Sequence, residues 1–152
     1  MQTTHGTARA AIVHPDQGWR LSAFGVEIAF MLTGETTGGA LALGCSTVPP
    51  GGGPPPHSHE EDELFIVIEG HYGFLVEGEW RDARAGSVVY LPRGTVHAFR
   101  NMGDVDARHW VLTTPAGFED FYAGAARLFE APGGPEPAQV VALAAEHGIR
   151  FC

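Results

Sequence analysis

His57-Ser58-His59-Glu60-Glu61-Asp62-Glu63, followed by the apolar run Leu64-Phe65-Ile66-Val67-Ile68, is the stretch whose reading decides the fold. In an extended segment side chains alternate between faces, so His57, His59 and Glu63 would point one way and Ser58, Glu60 and Asp62 the other. Two imidazoles and a carboxylate on one face form a metal claw that still lacks a fourth ligand. Glu60, Glu61 and Asp62 then read as a charge run solvated at the mouth of the fold. The Leu64-to-Ile68 run is apolar on both faces and needs cover on both, from a second layer, from C-terminal helices or from a partner subunit.

Upstream of the claw, the segment from Pro49 to Pro56 reads PPGGGPPP, which neither a helix nor a ladder accommodates. With apolar strands on both sides, it reads as a stiff, ordered loop that delivers His57 to its place. Before it, Ala40 to Val48 is a strand with Leu41, Leu43 and Cys45 on one face, and Trp19 to Ala23 and Val26 to Thr33 are strands separated at Phe24-Gly25. Arg9 to His14 would be the first strand, ended by Pro15. After the claw, strands follow at short, regular spacing through His71 to Glu77, Trp80 to Asp82, Ser87 to Leu91 and Val96 to Asn101, with Arg108 to Thr113 the last. No helical pattern interrupts them, so an antiparallel sandwich or barrel is expected.

Past Thr114 the period changes. Phe118, Phe121, Tyr122, Ala125, Leu128 and Phe129 recur at helical spacing, with Thr114 and Pro115 as cap and first position. A second short helix runs from Ala138 to His147 and stops at Gly148. Both helices are expected on the outside of the strand body, their aromatic stripe serving as packing.

The 152 residues suit a single domain, with the barrel at about 9–114 and the helical segment at about 115–152. Eighteen acidic against nine basic side chains give a net charge of -9, which excludes nucleic acid and anionic membrane surfaces as partners. No stretch has the length of a membrane span and the N-terminus lacks a signal-peptide core, so the expected location is the cytoplasm. Cys45 and Cys152 match no zinc or redox spacing.

His97, in a strand after the Pro92-Arg93-Gly94 turn, is the candidate fourth ligand. With it the sequence resembles the cupin superfamily. Gly51, His57, His59, Glu63 and Gly70 match every position of the first cupin motif, and Gly86, Pro92, Gly94, His97 and Asn101 match the second. Fifteen residues lie between the motifs, as in compact bacterial members. The segment from Arg9 to Phe129 looks like the small single-domain monocupins described as quercetin 2,3-dioxygenase-like. The resemblance implies an all-β fold, an antiparallel double-stranded β-helix or jelly-roll barrel, with one divalent ion (Fe, Mn, Ni, Cu or Zn) held inside by His57, His59, Glu63 and His97. It also implies structural roles for the glycines and Asn101, and a homodimer is common among its members.

By parity Phe65, Val67 and Phe99 share the interior with the ligands and would form an apolar pocket for a flat, carbon-rich small-molecule substrate. The reaction the resemblance implies is a metal-dependent dioxygenation of an aromatic or enediol-type substrate, with Glu63 able to act as catalytic base. A non-redox isomerase, cyclase or lyase would use the same site, as would a small-molecule-binding cupin without turnover.

Overall fold

Glycine and proline cut the chain into short strands, and in the computed structural model, which describes residues 5–152, these strands form two antiparallel sheets. In chain order they are β1 (Trp19–Ala23), β2 (Val26–Leu32), β3 (Ala42–Val48), β4 (His57–Ser58), β5 (Asp62–Glu69), β6 (His71–Val76), β7 (Glu79–Arg84), β8 (Val88–Leu91), β9 (His97–Asn101), β10 (Ala107–Thr114) and β11 (Arg150–Phe151). One sheet runs β1-β2-β3-β10-β5-β8 and the other β11-β4-β9-β6-β7. Consecutive strands repeatedly switch sheets, which is the jelly-roll connectivity expected from the sequence. The helices are α1 (Gly34–Thr37), α2 (Phe118–Glu130) and α3 (Pro137–Glu146).

Alternation sets the interior. Along β10, Ala107, His109, Val111 and Thr113 are buried, and along β3 Ala42, Gly44, Ser46 and Val48 are buried. Register then stacks the interior in levels: Glu63 lies opposite Thr113, Phe65 opposite Val111 and Val67 opposite His109. Phe65, Phe74, Phe99 and Tyr72 fill the middle, with ring centroids 5.1 to 6.0 Å apart. Rings offset in this way gain both buried area and favourable edge-to-face contacts.

The glycine- and proline-rich loop is ordered as expected. Gly51 N–H donates to Asn101 O at 2.9 Å and Asn101 N–H to Gly52 O at 3.0 Å, so the loop is stitched to the end of β9. Gly53, at φ 145°, passes so close to the Phe99 carbonyl that a Cβ would collide with it. Only glycine fits there.

Three expectations are corrected. Arg9 to His14 forms no strand: its largely exposed residues find no ladder partner, and Arg9 is tied down by its N–H to Thr36 O at 3.0 Å and by an ion pair with Glu35 at 3.7 Å, so the barrel begins at β1 and not near residue 9. Thr114 and Pro115 do not cap α2. Their peptide bond is cis, the cap is Gly117, and buried Glu119 accepts the Gly117 and Gly34 N–H groups, each at 2.8 Å. β10 is not the last strand, because β11 returns the C-terminal residues to pair with β4, Phe151 opposite His57.

The two helices sit outside the strand body, as expected. α2 packs on β1 and α3 on α2, and Tyr122 Oη reaches the Ala23 and Val26 carbonyls at 2.9 and 2.7 Å. The aromatic face of α2 is not mere outer packing, since Phe118, Phe121 and Tyr122 line the interior cavity. The helices leave the outer face of the β1-to-β8 sheet uncovered, where Ile66, Val88 and Tyr90 are exposed.

Candidate metal centre

The sequence places His57 and His59 one residue apart, but the structure converges them through two different sheets. β4 ends at Ser58, the chain crosses at His59 to Glu61, and β5 carries Glu63 in the facing sheet. The shared face inferred from a single extended segment is therefore the shared interior of two sheets. His97 arrives from β9, as the Cα partner of His57 across the β4–β9 ladder.

The candidate ligand atoms of His57, His59 and His97 lie within 4.8 Å of one another. Each ring is aimed by its own Nδ1, which donates to a backbone carbonyl two residues away: His57 to Pro55 at 2.9 Å, His59 to Glu61 at 3.1 Å and His97 to Thr95 at 2.8 Å. Such bonds fix tautomer and ring angle and leave Nε2 as the lone-pair donor. Glu63 Oε2 sits 2.8 Å from His59 Nε2 and 2.9 Å from His97 Nε2. Lone pairs and a carboxylate brought this close repel unless a cation lies between them. His97 Nε2 is buried without a well-aligned hydrogen bond, an orphaned polar atom aimed at the same point. The donor set of three imidazoles and one carboxylate fits a divalent transition ion.

Electrostatics agree. Burial, helped by neighbouring His97, lowers the His57 pKa to about 4, so that ring is neutral and ready to ligate. Burial opposes the charged form of His59 too, but the hydrogen bonds its ring donates to the Glu61 and Glu63 carboxylates outweigh it and raise its pKa well above the imidazole range. The same contacts, with His97, hold the Glu63 carboxyl well below its ordinary value against the opposing effect of burial. Without an ion the pair holds a proton, and an ion must displace it. Metal uptake at pH 7 is therefore expected to release about one proton per ion, with affinity weakening about tenfold per unit of acidification and occupancy lost below about pH 6. Calorimetry in buffers of different ionisation enthalpy measures this; uptake without proton release would contradict it.

Glu61 departs from the solvated charge run. Its carboxylate is mostly buried and lies 3.3 Å from His59 Nδ1. Asp62 is bound by Arg93 through both oxygens, at 3.1 and 3.2 Å. Asp62 thus pins the turn before His97.

A cavity of about 600 Å³, counted with its open mouth, reaches the metal centre. Phe65 and Phe99 line it, together with Glu63, His57 and His97, while Val67 is buried outside its wall. Sequence reasoning missed its aromatic cover. Phe24, in a two-residue turn where it takes φ 54°, packs against Phe121 and Phe151, and Phe118 lies 5.7 Å from the His59 ring. The unusual Phe-Gly turn was the available signal, because an aromatic in the left-handed region is rare enough to demand a reason.

Comparison with known proteins agrees with this geometry. The cupin domain family matches residues 44–113, a segment that contains both motifs. An RmlC-like cupin from Shewanella frigidimarina superimposes with a TM-score of 0.64 at 18% identity, over 74% of this chain and 96% of that one. A Cupin 2 conserved barrel domain protein from Salinispora arenicola gives 0.56 at 21% identity, over 93% of this chain and 100% of that one. Among curated proteins, the endoribonuclease YbeY of Myxococcus xanthus is 34% identical over 68 residues, 45% of this chain. The chain spans only 23% of that protein's length, so the likeness concerns a segment and not its activity. Residues 44–113, which carry the four candidate ligands, match the cupin domain family, and the fold is the jelly roll of these solved cupins.

Proposed function

We propose that this chain is a metal-dependent dioxygenase, quercetinase-like in the broad sense of acting on a small aromatic or enediol-type substrate. The observation that carries the reading is the convergence of three Nδ1-anchored imidazoles with Glu63 at the wall of an aromatic-lined cavity. A bound iron, manganese, nickel or copper ion would supply Lewis acidity and a route for electrons to dioxygen. Glu63 directs one oxygen at His59 and His97, and as a cavity-lining residue it can take the proton of a substrate hydroxyl. Phe65, Phe99 and Phe118 hold a flat ring by stacking and keep water scarce around the carboxylate.

The same residues support a non-redox isomerase, cyclase or lyase, with zinc in the site and Glu63 as the base. Oxygen uptake separates the two. Protein loaded in turn with iron, manganese, nickel and copper is expected to consume oxygen with at least one member of a panel of catechols, enediols and flavonols. Uptake by none would remove the dioxygenase.

A homodimer is proposed through the uncovered sheet face, supported by the exposed Ile66, Val88 and Tyr90 there. Sedimentation equilibrium is expected to give twice the chain mass of 16.2 kDa, and a single chain mass would refute it. No helix among the described residues is long and apolar enough to cross a membrane. A cytoplasmic location is proposed, supported by the unpaired Cys45 and Cys152.

A further inference from the structure

Two polar side chains in the cavity wall are not used by the metal centre. Ser46 and His109 are Cα partners across the β3–β10 ladder, only 2% and 1% exposed, and both line the cavity. They sit one level beyond Phe65 and Val111 and two levels beyond Glu63, roughly 13 Å along β5 at about 3.3 Å per residue.

The state of His109 follows from its neighbour. Its Nδ1 lies 2.7 Å from Tyr72 Oη. Burial keeps the Tyr72 phenol protonated, and Nδ1 is the acceptor within reach of its buried hydroxyl, which assigns the hydroxyl as the donor to Nδ1. Burial also lowers the His109 pKa to about 4, leaving a neutral ring. A neutral imidazole that accepts at Nδ1 carries its hydrogen on Nε2. Tyr72 engages His109 at Nδ1, and Ser46 and His109 both belong to the cavity wall. A buried ring N–H and a hydroxyl side by side in the wall of an apolar cavity mark where a polar atom of a ligand belongs.

We propose that Ser46 and His109 form a second anchor at the floor of the cavity, which holds an oxygen substituent of the bound molecule by the His109 Nε2–H and the Ser46 hydroxyl. The ligand class is an elongated, mainly apolar molecule with an oxygen function at each end, one for the metal centre and one for this anchor. The near end rests on the metal reading proposed above; the far end does not. Tyr72 is a positioning residue that sets the His109 tautomer.

The probes are 4-hydroxybiphenyl and 4,4'-dihydroxybiphenyl, titrated calorimetrically into zinc-loaded and metal-free protein. In zinc-loaded protein the diol is expected to bind about tenfold tighter than the mono-ol, the worth of roughly one extra hydrogen bond. In metal-free protein the two are expected to bind alike, and Ser46→Ala with His109→Phe to weaken both about tenfold. Wild-type affinity in that variant would overturn the anchor. Weakening in the variant without any gain from zinc would instead overturn the metal-held end and leave the anchor standing. Nitrogen-15 NMR gives a test independent of the variant's folding. His109 is expected as the Nε2–H tautomer in the wild type and as a mixture in Tyr72→Phe, and an Nδ1–H tautomer in the wild type would refute the assignment.

Discussion

Replacing His57 and His59 together with alanine is expected to take the metal content from about one ion per chain to none, as read by elemental analysis of protein purified under identical conditions. The pair supplies half of the proposed donor set, and what remains, His97 with Glu63, is a two-point site in a cavity that would also admit water. Both rings are aimed by backbone carbonyls, those of Pro55 and Glu61, so each is held as a ligand by the main chain. Loss of orienting partners alone commonly costs 10- to 100-fold in metal affinity, and loss of the ligands themselves costs more. The variant is expected to keep its fold, because the ladders and aromatic core that build the barrel do not depend on these rings. Unchanged metal content would place the ion elsewhere.

The second large effect is on stability. Asn101→Ala is expected to cost about 4 kcal/mol, lowering the melting temperature by roughly 10 °C in a chain of this size. Asn101 is 2% exposed, and its amide bonds in three directions: to Val48 O at 2.8 Å, to Val105 O at 2.7 Å and from Gly103 N–H at 2.8 Å. It thereby ties the end of β3 to the turn between β9 and β10. Alanine leaves the buried Val48 carbonyl, and the part-buried Val105 carbonyl and Gly103 N–H, without their partner. Thermal unfolding of the metal-free protein measures this, and a shift under about 2 °C would show that water replaces the amide.

The sequence reading reached the fold through punctuation and period. Turns at Phe24-Gly25 and Pro92-Arg93-Gly94 bound strands that the structure contains, β1 and β2 on either side of the first and β8 and β9 on either side of the second. It foundered where local pattern has no tertiary reference. Arg9 to His14 has enough apolar residues to suggest a strand, but its residues stay largely exposed and it pairs with no strand of the sheet that β1 ends. The two-residue β11 was invisible because Arg150 and Phe151 carry no periodicity, and only the docking of α3 returns them to β4.

For the site, motif spacing brought His57, His59, Glu63 and His97 forward as a group, although the parity behind it assumed one continuous strand where the chain in fact crosses between sheets. The pocket was half legible. Phe65 and Phe99 were accessible to parity, Val67 lies outside the cavity wall, and Phe118, Phe121 and Phe151 reach it from elements whose docking no local pattern states. Glu61 was misread for the same reason: acidic runs are usually solvated, and only the crossing at residues 59–61 turns one of them inward.

The central claim is that His57, His59, Glu63 and His97 hold one divalent ion. Anomalous diffraction at the absorption edge of the metal found in the purified protein tests it most directly. The expected result is a single peak about 2.0–2.2 Å from the three Nε2 atoms and a Glu63 oxygen. No peak among these four residues, or one only elsewhere on the chain, would contradict it.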